Sequence, residues 1–253
     1  MRLVVTRPMA DAMVVAEQLA GQGHDVLLSP LIDITLDPDA VLPPLDAQAA
    51  LAFTSANGVH AFMAQLEKKR AQTPKINAWL ALPVFAVGPQ TAAAAQAAGF
   101  VDIHQAGGDV AALAELIARH KNDAMPVLHI AGRDRAGDLV GGLKAQNIAC
   151  GRAVLYRAEA AAGFSPAAKA ALGDAQEPVE GVVIYSQRSA DIFCALYAAL
   201  ADELAQREAA IAPPTAFCLS EAITAQMRAA GFEAFAPPRP DSAALLALLS
   251  PNR

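Results

Sequence analysis

The stretch Ala52-Phe53-Thr54-Ser55-Ala56-Asn57-Gly58-Val59-His60-Ala61-Phe62 joins a buried strand to the start of a helix. Its apolar part ends at Thr54, and a helical pattern opens at Ala56. Thr54 or Ser55 therefore lies where a hydroxyl can cap the free backbone N–H groups of a helix. Because such N–H groups also attract negative charge, this turn is a candidate binding site for an anionic ligand.

A second stretch, Val183-Ile184-Tyr185-Ser186-Gln187-Arg188-Ser189-Ala190-Asp191-Ile192-Phe193, repeats this arrangement. Phe62 corresponds to Phe193 at an offset of 131 residues (193 − 62). We interpret the correspondence as an internal repeat of a small α/β unit, although alanine-rich helices that merely look alike are the alternative explanation. The opening strand Leu3-Val4-Val5 and Val127-Leu128-His129-Ile130 form a looser pair. Three further pairs keep an offset of 132 (217 − 85): Phe85 with Phe217, Ala98-Gly99-Phe100 with Ala230-Gly231-Phe232, and Asp109 with Asp241.

Apolar strands alternate with helical patterns along the chain, which predicts parallel sheets of βαβ units with right-handed crossovers. Two segments differ, because residues 31–36 and 153–159 alternate apolar and polar side chains, the period of a half-exposed strand. Pro38, Pro43 and Pro44 make the segment after the first of these a connector. Further strands are predicted near residues 2–6, 25–29, 84–87, 127–131, 181–185 and 216–219.

The composition indicates a folded protein of two domains or one large domain. Of the 253 residues, 55% are hydrophobic and 17% are charged, which excludes a disordered chain, and no apolar run approaches the roughly 18–20 residues that cross a bilayer. The net charge of −6 argues against nucleic acid as the main partner. Cys150, Cys194 and Cys218 are scattered, which argues against a disulfide framework and against zinc. The chain opens on a strand without a leader segment, so we expect a cytoplasmic protein.

Taken together, these features resemble the uroporphyrinogen-III synthase family over nearly the whole chain. Each matching segment is weak alone, and their order and spacing carry the resemblance. The segments are Val5-Thr6-Arg7-Pro8, Phe53-Thr54-Ser55-Ala56-Asn57-Gly58-Val59, Val87-Gly88-Pro89-Gln90-Thr91-Ala92, Tyr156 and Ser186.

The resemblance implies two flavodoxin-like α/β lobes with parallel sheets, joined by a two-stranded linker, with the active site in the cleft between them. Residues 1–34 and 160–253 would form the first lobe, and residues 38–152 the second. The linker strands would be 31–36 and 153–159. The repeat alone would suggest simple tandem domains, so the crossover between lobes is an implication of the family.

The reaction implied by the resemblance is the cyclisation of hydroxymethylbilane, a linear tetrapyrrole. Its last ring is inverted, water leaves, and uroporphyrinogen III forms in haem biosynthesis, so the enzyme class is a carbon–oxygen lyase. The family implies no cofactor, no metal and a monomer whose partner is this small molecule. A non-catalytic bilobed binding protein for a small anionic ligand is the alternative. A dehydrogenase is disfavoured, because no GxGxxG follows Leu3-Val4-Val5.

The implied substrate carries eight carboxylates, which suit helix N-termini and hydroxyl groups at the carboxyl ends of parallel strands. The net charge of −6 opposes such a ligand, so any positive potential must be local. Arg135 also follows a strand and could face the ligand. The candidate substrate-binding residues are Arg7, Thr54, Ser55, Gly88, Thr91, Arg133, Ser186, Arg188 and Ser220.

Catalysis by positioning fits the absence of a strong catalytic motif, since the substrate hydroxyl can leave with help from a pyrrole nitrogen. Tyr156 is the candidate general acid for that hydroxyl. The alternative is a packing residue whose hydroxyl lies in solvent. The five histidines show no ligand spacing, and we predict surface or core positions for all of them.

The second copy of the repeat departs from the family pattern at two places. Ser220-Glu221-Ala222-Ile223 replaces a Gly-Pro-x-Thr helix start, and Glu221 would bring negative charge towards an acidic substrate. Tyr185 occupies the repeat position of Thr54. The two lobes are therefore not expected to be equivalent at the site.

Overall fold

The computed structural model describes residues 1–45, 48–68, 76–120, 126–134, 137–206 and 211–250. Their backbone contacts divide the chain into two compact units, each built around its own sheet. The first unit comprises Met1–Asp33 and Glu159–Arg253, and the second comprises Ile34–Ala158. The predicted α/β class with mostly parallel sheets is confirmed. Arg135 lies outside the described residues.

The first unit has a parallel sheet in the order β11-β10-β9-β1-β2, where elements are numbered along the whole chain. Its strands are β1 (Arg2–Val5), β2 (Asp25–Leu28), β9 (Gly181–Ile184), β10 (Thr215–Cys218) and β11 (Ala234–Phe235). Its helices are α1 (Met9–Gly21), α7 (Pro166–Leu172), α8 (Gln187–Ala205), α9 (Glu221–Ala229) and α10 (Ser242–Ala247).

Both faces of this sheet are covered, which explains why its strands read as unbroken apolar runs. Side chains alternate across a strand, so Leu3 and Val5 pack in one core with residues of α1 and α10. Val4 points to the opposite face and packs in the core formed with α7, α8 and α9. Each face thus has its own hydrophobic core.

The second unit has a sheet in the order β3-β8-β7-β4-β5-β6, in which every pair from β8 to β6 is parallel. Its strands are β3 (Ile32–Leu36), β4 (Ala50–Phe53), β5 (Val84–Ala86), β6 (Ile103–Gln105), β7 (Val127–Gly132) and β8 (Cys150–Ala160). Its helices are α2 (Ala56–Lys68), α3 (Ile76–Leu80), α4 (Pro89–Ala97), α5 (Val110–Arg119) and α6 (Leu139–Lys144). The two segments that alternate apolar and polar residues lie in β3 and β8, which are neighbours in this sheet and continue into the first unit.

The internal repeat is visible in the strand orders of the two units. The order β8-β7-β4-β5-β6 corresponds position by position to β2-β1-β9-β10-β11. The looser pair of the sequence, β1 with β7, therefore occupies equivalent places. Because β1 and β2 open the first unit whereas β7 and β8 close the contiguous second unit, the two copies are related by circular permutation.

The repeated Ala-Gly-Phe blocks are helix ends with one shared geometry. Gly99 and Gly231 follow α4 and α9 with φ of +94° and +89°, a left-handed conformation that favours glycine. The next residue closes the turn, since Phe100 N donates to Ala95 O and the equivalent Phe232 N donates to its own helix, each at 3.1 Å. The local backbone conformation at a helix end therefore accounts for the two Ala-Gly-Phe blocks.

Candidate active site

The opening stretch of the sequence lies at the point where the strand order of the second unit reverses. From β4 the chain continues through β5 and β6 in one direction, whereas β7 and β8 lie on the other side of β4. Ligands of open parallel sheets bind at such a switch point, beyond the carboxyl ends of the strands. A cavity of about 370 Å³ is present there, lined in part by Thr54, Ser55, Gly132 and Tyr156. We call it the Ser55–Tyr156 cavity.

Ser55 and Tyr156 form the central contact of this cavity. The Tyr156 hydroxyl lies 2.8 Å from Ser55 Oγ, and Ser55 Oγ accepts a hydrogen bond from the backbone N–H of Gly58 at 3.2 Å. Tyr156 is only 8% exposed, because its ring packs in a hydrophobic core and its hydroxyl lies beside Ser55. Burial raises the pKa of Tyr156 above its ordinary value, and the Ser55 hydrogen bond offsets only part of this. The phenol is therefore protonated at neutral pH.

A register shift between β7 and β8 turns Tyr156 towards the cavity. Ala131 pairs with Val154, but the next residue, Gly132, pairs with Tyr156, so β8 accommodates one extra residue. A Cβ atom on Gly132 would lie 2.9 Å from Cε2 and Cζ of the Tyr156 ring. The ring can therefore pack over the backbone only because this position is glycine.

His129 and Arg152 also line the cavity, and the sequence assigned neither of them a role. His129 Nε2 lies 3.2 Å from Thr54 Oγ1. Burial and the nearby Arg152 charge lower the pKa of His129 to about 4, so the imidazole is neutral at pH 7. The Arg152 guanidinium donates to the carbonyl oxygens of Gly132 and Arg133, at 2.5 and 3.2 Å.

A signal for His129 was present in the sequence, because it interrupts an otherwise apolar strand that proves to be buried along its length. Arg152 had no comparable signal, since charged residues are ordinary in a half-exposed strand such as β8.

Arg133 lies next to a smaller cavity of about 190 Å³ that Tyr156 also lines. The backbone N–H of Arg133 donates to the Tyr156 carbonyl at 2.8 Å, which ties the loop after β7 to β8. Asp37, Asp39 and Arg157 contribute to the same cavity. Tyr156 therefore lines two cavities, one on each side of the loop after β7.

The candidates of the first unit that lie at its own switch point, between β1 and β9, are Arg7 and Ser186. Arg7 pairs with Asp11 at 2.5 Å and lies over the ring of Tyr185, 4.3 Å from its centre. Ser186 caps α8, accepting from the backbone N–H of Ser189 at 3.1 Å. These polar groups are thus already partnered inside their unit.

The remaining candidates lie one strand away from a switch point or on a helix surface. Gly88 precedes α4, and Thr91, in its first turn, is 4% exposed. Ser220 precedes α9, where Glu221 pairs with Arg228 at 3.3 Å. Arg188 is exposed on α8. The described lining of the Ser55–Tyr156 cavity includes none of the candidates Gly88, Thr91, Arg188 and Ser220.

Two kinds of feature are absent from the described ranges. They contain no group of three or more His, Cys, Asp or Glu side chains arranged to hold a metal ion. No helix among them combines the length and hydrophobicity that a membrane-spanning segment requires.

Comparisons with known proteins point in one direction. The family model described as uroporphyrinogen-III synthase HemD matches residues 13–247. The crystal structure of uroporphyrinogen-III synthetase from Helicobacter pylori is 19% identical, covers all of both chains and has a TM-score of 0.64. A mutant uroporphyrinogen III synthase from Thermus thermophilus is 15% identical over 98% of this chain and 97% of that one, with a TM-score of 0.50. The search of curated proteins finds no match.

Proposed function

The chain belongs to the uroporphyrinogen-III synthase family, and we therefore propose that its substrate reacts at the Ser55–Tyr156 cavity. The activity is that of a cyclising hydro-lyase of tetrapyrrole biosynthesis, which converts hydroxymethylbilane into uroporphyrinogen III. The observation that carries the proposed location is the buried contact of 2.8 Å between the Tyr156 hydroxyl and Ser55 Oγ.

Tyr156 acts as the general acid in this proposal. As the carbon–oxygen bond of the substrate breaks, a pyrrole nitrogen supplies electrons to the carbon and the oxygen keeps the bonding pair. That oxygen takes the phenol proton and leaves as water. The Ser55 hydroxyl and the Arg152 charge stabilise the resulting phenolate, since both act to lower the pKa of Tyr156. The phenolate recovers a proton when the newly bonded pyrrole carbon loses its own.

Inversion of the last ring then depends on holding the flexible linear substrate in one conformation. The N-terminus of α2, capped by Ser55, and the hydroxyl of Thr54 bind carboxylates of the substrate. Arg152 contributes a positive charge to the lining of this cavity and Arg133 to that of the adjoining one, whereas Asp134 and Asp138 contribute carboxylates to the first. Further carboxylates are proposed to bind at Arg7, Gly88, Thr91, Ser186, Arg188 and Ser220.

The proposal includes a cytoplasmic monomer that needs no cofactor and binds neither nucleic acid nor membranes. Support for the compartment comes from Cys150, Cys194 and Cys218, which are free thiols, as expected in a reducing environment. The monomeric state follows from the family alone, and gel filtration with light scattering tests it.

The decisive experiment is an isomer assay. Purified protein is added to freshly made hydroxymethylbilane, the products are oxidised, and the type I and type III isomers are separated by chromatography. We expect type III in excess of the protein-free blank, without added metal or cofactor. Type I alone would remove the catalytic proposal and favour the alternative of a binding protein, for which uroporphyrin III binding without turnover is the signature.

A further inference from the structure

We infer that His129 is a positioning residue: its Nε2–H donates to the Thr54 hydroxyl, and Thr54 in turn donates its proton to a carboxylate oxygen of the substrate. The inference rests on the proposed function, because that function supplies the carboxylate. It adds a relay through a residue to which the sequence assigned no part in binding.

The fold brings the two side chains together. His129 lies in β7, and its register partner on the neighbouring strand β4 is Ala52. Because alternate residues of a strand share a face, Thr54 continues the face of Ala52. His129 Nε2 lies 3.2 Å from Thr54 Oγ1, and both residues line the Ser55–Tyr156 cavity.

The direction of this hydrogen bond follows from the other ring nitrogen. His129 is 7% exposed, and its Nδ1 is fully buried without a hydrogen-bond partner among the described residues. A buried N–H without an acceptor is costly and rare, whereas an unfilled acceptor is tolerated better. The proton of the neutral imidazole therefore resides on Nε2, which makes His129 the donor and Thr54 Oγ1 the acceptor.

This direction determines what Thr54 offers the cavity. A threonine hydroxyl has one proton and two acceptor sites. With one acceptor site filled by His129, the Thr54 proton is left to point into the cavity as a donor. A carboxylate is the acceptor that gains most from such a donor, because hydrogen bonds to ionised groups are stronger than those between neutral groups.

Four variants test the relay through kcat and KM for hydroxymethylbilane. His129→Leu and Thr54→Val each remove one donor, and we expect KM to rise about tenfold with kcat within threefold, the loss typical of one hydrogen bond to a charged group. His129→Gln places an amide N–H near Nε2 and should restore KM to within about threefold of the wild type. His60→Leu, at an exposed position of α2, is the matched control and should change neither constant.

The double variant separates a relay from a structural effect. If His129 acts through Thr54, KM of His129→Leu/Thr54→Val should equal that of Thr54→Val within about twofold, because coupled residues are not additive. An unchanged KM in His129→Leu would overturn the inference, and so would multiplication of the two single effects.

The tautomer is measured independently of activity by ¹⁵N NMR of the histidine side chains, with His129→Gln providing the assignment. We expect a proton on Nε2, and a proton on Nδ1 would overturn the inference whatever the kinetic constants of the variants. If the wild type forms only the type I isomer, the proposed function fails separately. The relay is then decided by this tautomer together with calorimetric binding of uroporphyrin III to wild type and Thr54→Val.

Discussion

At the level of single residues, Tyr156 and Tyr185 show how environment separates two identical side chains. Each is a largely buried phenol near the switch point of its unit, and burial raises the pKa of both. The Tyr156 hydroxyl faces a cavity beside Ser55. The Tyr185 ring is covered by Arg7, and its hydroxyl lies 3.2 Å from Ser242 Oγ. Of the two, Tyr156 therefore combines a protonated hydroxyl with space for a reacting group.

Replacing Tyr156 by phenylalanine should lower kcat for type III formation at least tenfold, since a positioned general acid typically contributes more than that. KM should stay within threefold, because the ring and its packing over Gly132 are kept. The matched control is Tyr197→Phe, which removes a buried hydroxyl without a hydrogen-bond partner among the described residues and should leave kcat unchanged. Full activity of Tyr156→Phe would refute the acid role.

His129 should make the stability of the protein depend on pH. Its pKa is about 4 in the fold and about 6.5 in an unfolded chain. Between these two pH values the unfolded state binds more protons at this histidine than the folded state does. The contribution of His129 to the free energy of unfolding is therefore fully present above pH 6.5 and is lost as the pH falls towards 4. The contribution lost is roughly 3 kcal/mol.

Urea unfolding at several pH values between 7.5 and 4.5 measures this contribution. The wild type should lose stability over that range more steeply than His129→Gln, in which no imidazole titrates. His60→Gln serves as the control and should follow the wild type. Parallel curves for the wild type and His129→Gln would show that burial does not perturb the pKa of His129.

At the level of strands and helices, the β-bulge of β8 and the glycine opposite it place the proposed general acid. The register shift beside Gly132 brings Tyr156 level with the end of β7. Arg152 holds the carbonyl oxygens of Gly132 and Arg133 at this end. The backbone therefore forms a cradle for the ring, and its shape depends on a missing Cβ atom.

Gly132→Ala should displace the Tyr156 ring, because the new Cβ would lie 2.9 Å from two ring carbons. We expect kcat to fall about tenfold or more, approaching the effect of losing the acid itself. The control on the neighbouring strand is Gly151→Ala, where the added Cβ would lie 3.8 Å from Leu128 Cδ1, an ordinary contact.

A second readout distinguishes displacement of Tyr156 from a general defect in folding. The double variant Gly132→Ala/Tyr156→Phe should be no less active than Tyr156→Phe, because both changes remove the same function. A further loss of activity in the double variant would indicate that the alanine acts elsewhere.

At the level of the complete chain, the two units are circular permutants with one strand order. Only the second unit is continuous in sequence, from Ile34 to Ala158, and the first is completed by segments from both ends of the chain. The second unit has its own core, in which Phe62 packs edge-to-face on Trp79 at 5.4 Å between ring centres. Its stability should therefore not depend on the rest of the chain.

A fragment of residues 31–161, which contains all of β3 and β8, should fold alone. Trp79 is the only tryptophan of the chain and reports on this unit. We expect its fluorescence and the far-ultraviolet circular dichroism to change together in one cooperative urea transition, as for a single domain. A gradual transition, or two that do not coincide, would contradict this. The fragment 1–33 is the negative control, because β1 and β2 lack β9.

Features that depend on neighbouring residues could be predicted from the sequence. Unbroken apolar runs followed by helical patterns specify parallel α/β units whatever their arrangement. Asp109 and Asp241 each accept a hydrogen bond from the backbone N–H three residues later, at 2.8 Å, as an aspartate at a helix start predicts. Gly99 and Gly231 end the preceding helices for an equally local reason. The resemblance to a family added Tyr156, which no local pattern distinguished.

Which of these elements share a site depends on the fold in three dimensions. Ser55 and Tyr156 are 101 residues apart and meet because β7 lies between β4 and β8 and because one residue is inserted in β8. Gly88 and Ser220 follow the same strand-to-helix pattern as Ser55, yet β5 and β10 lie one strand away from the switch points. A local pattern specifies that a polar turn lies at the end of a strand, but strand order is set by long-range packing. For that reason the sequence shows His129 only as a polar residue in an apolar strand, and the strand order places it in the cavity.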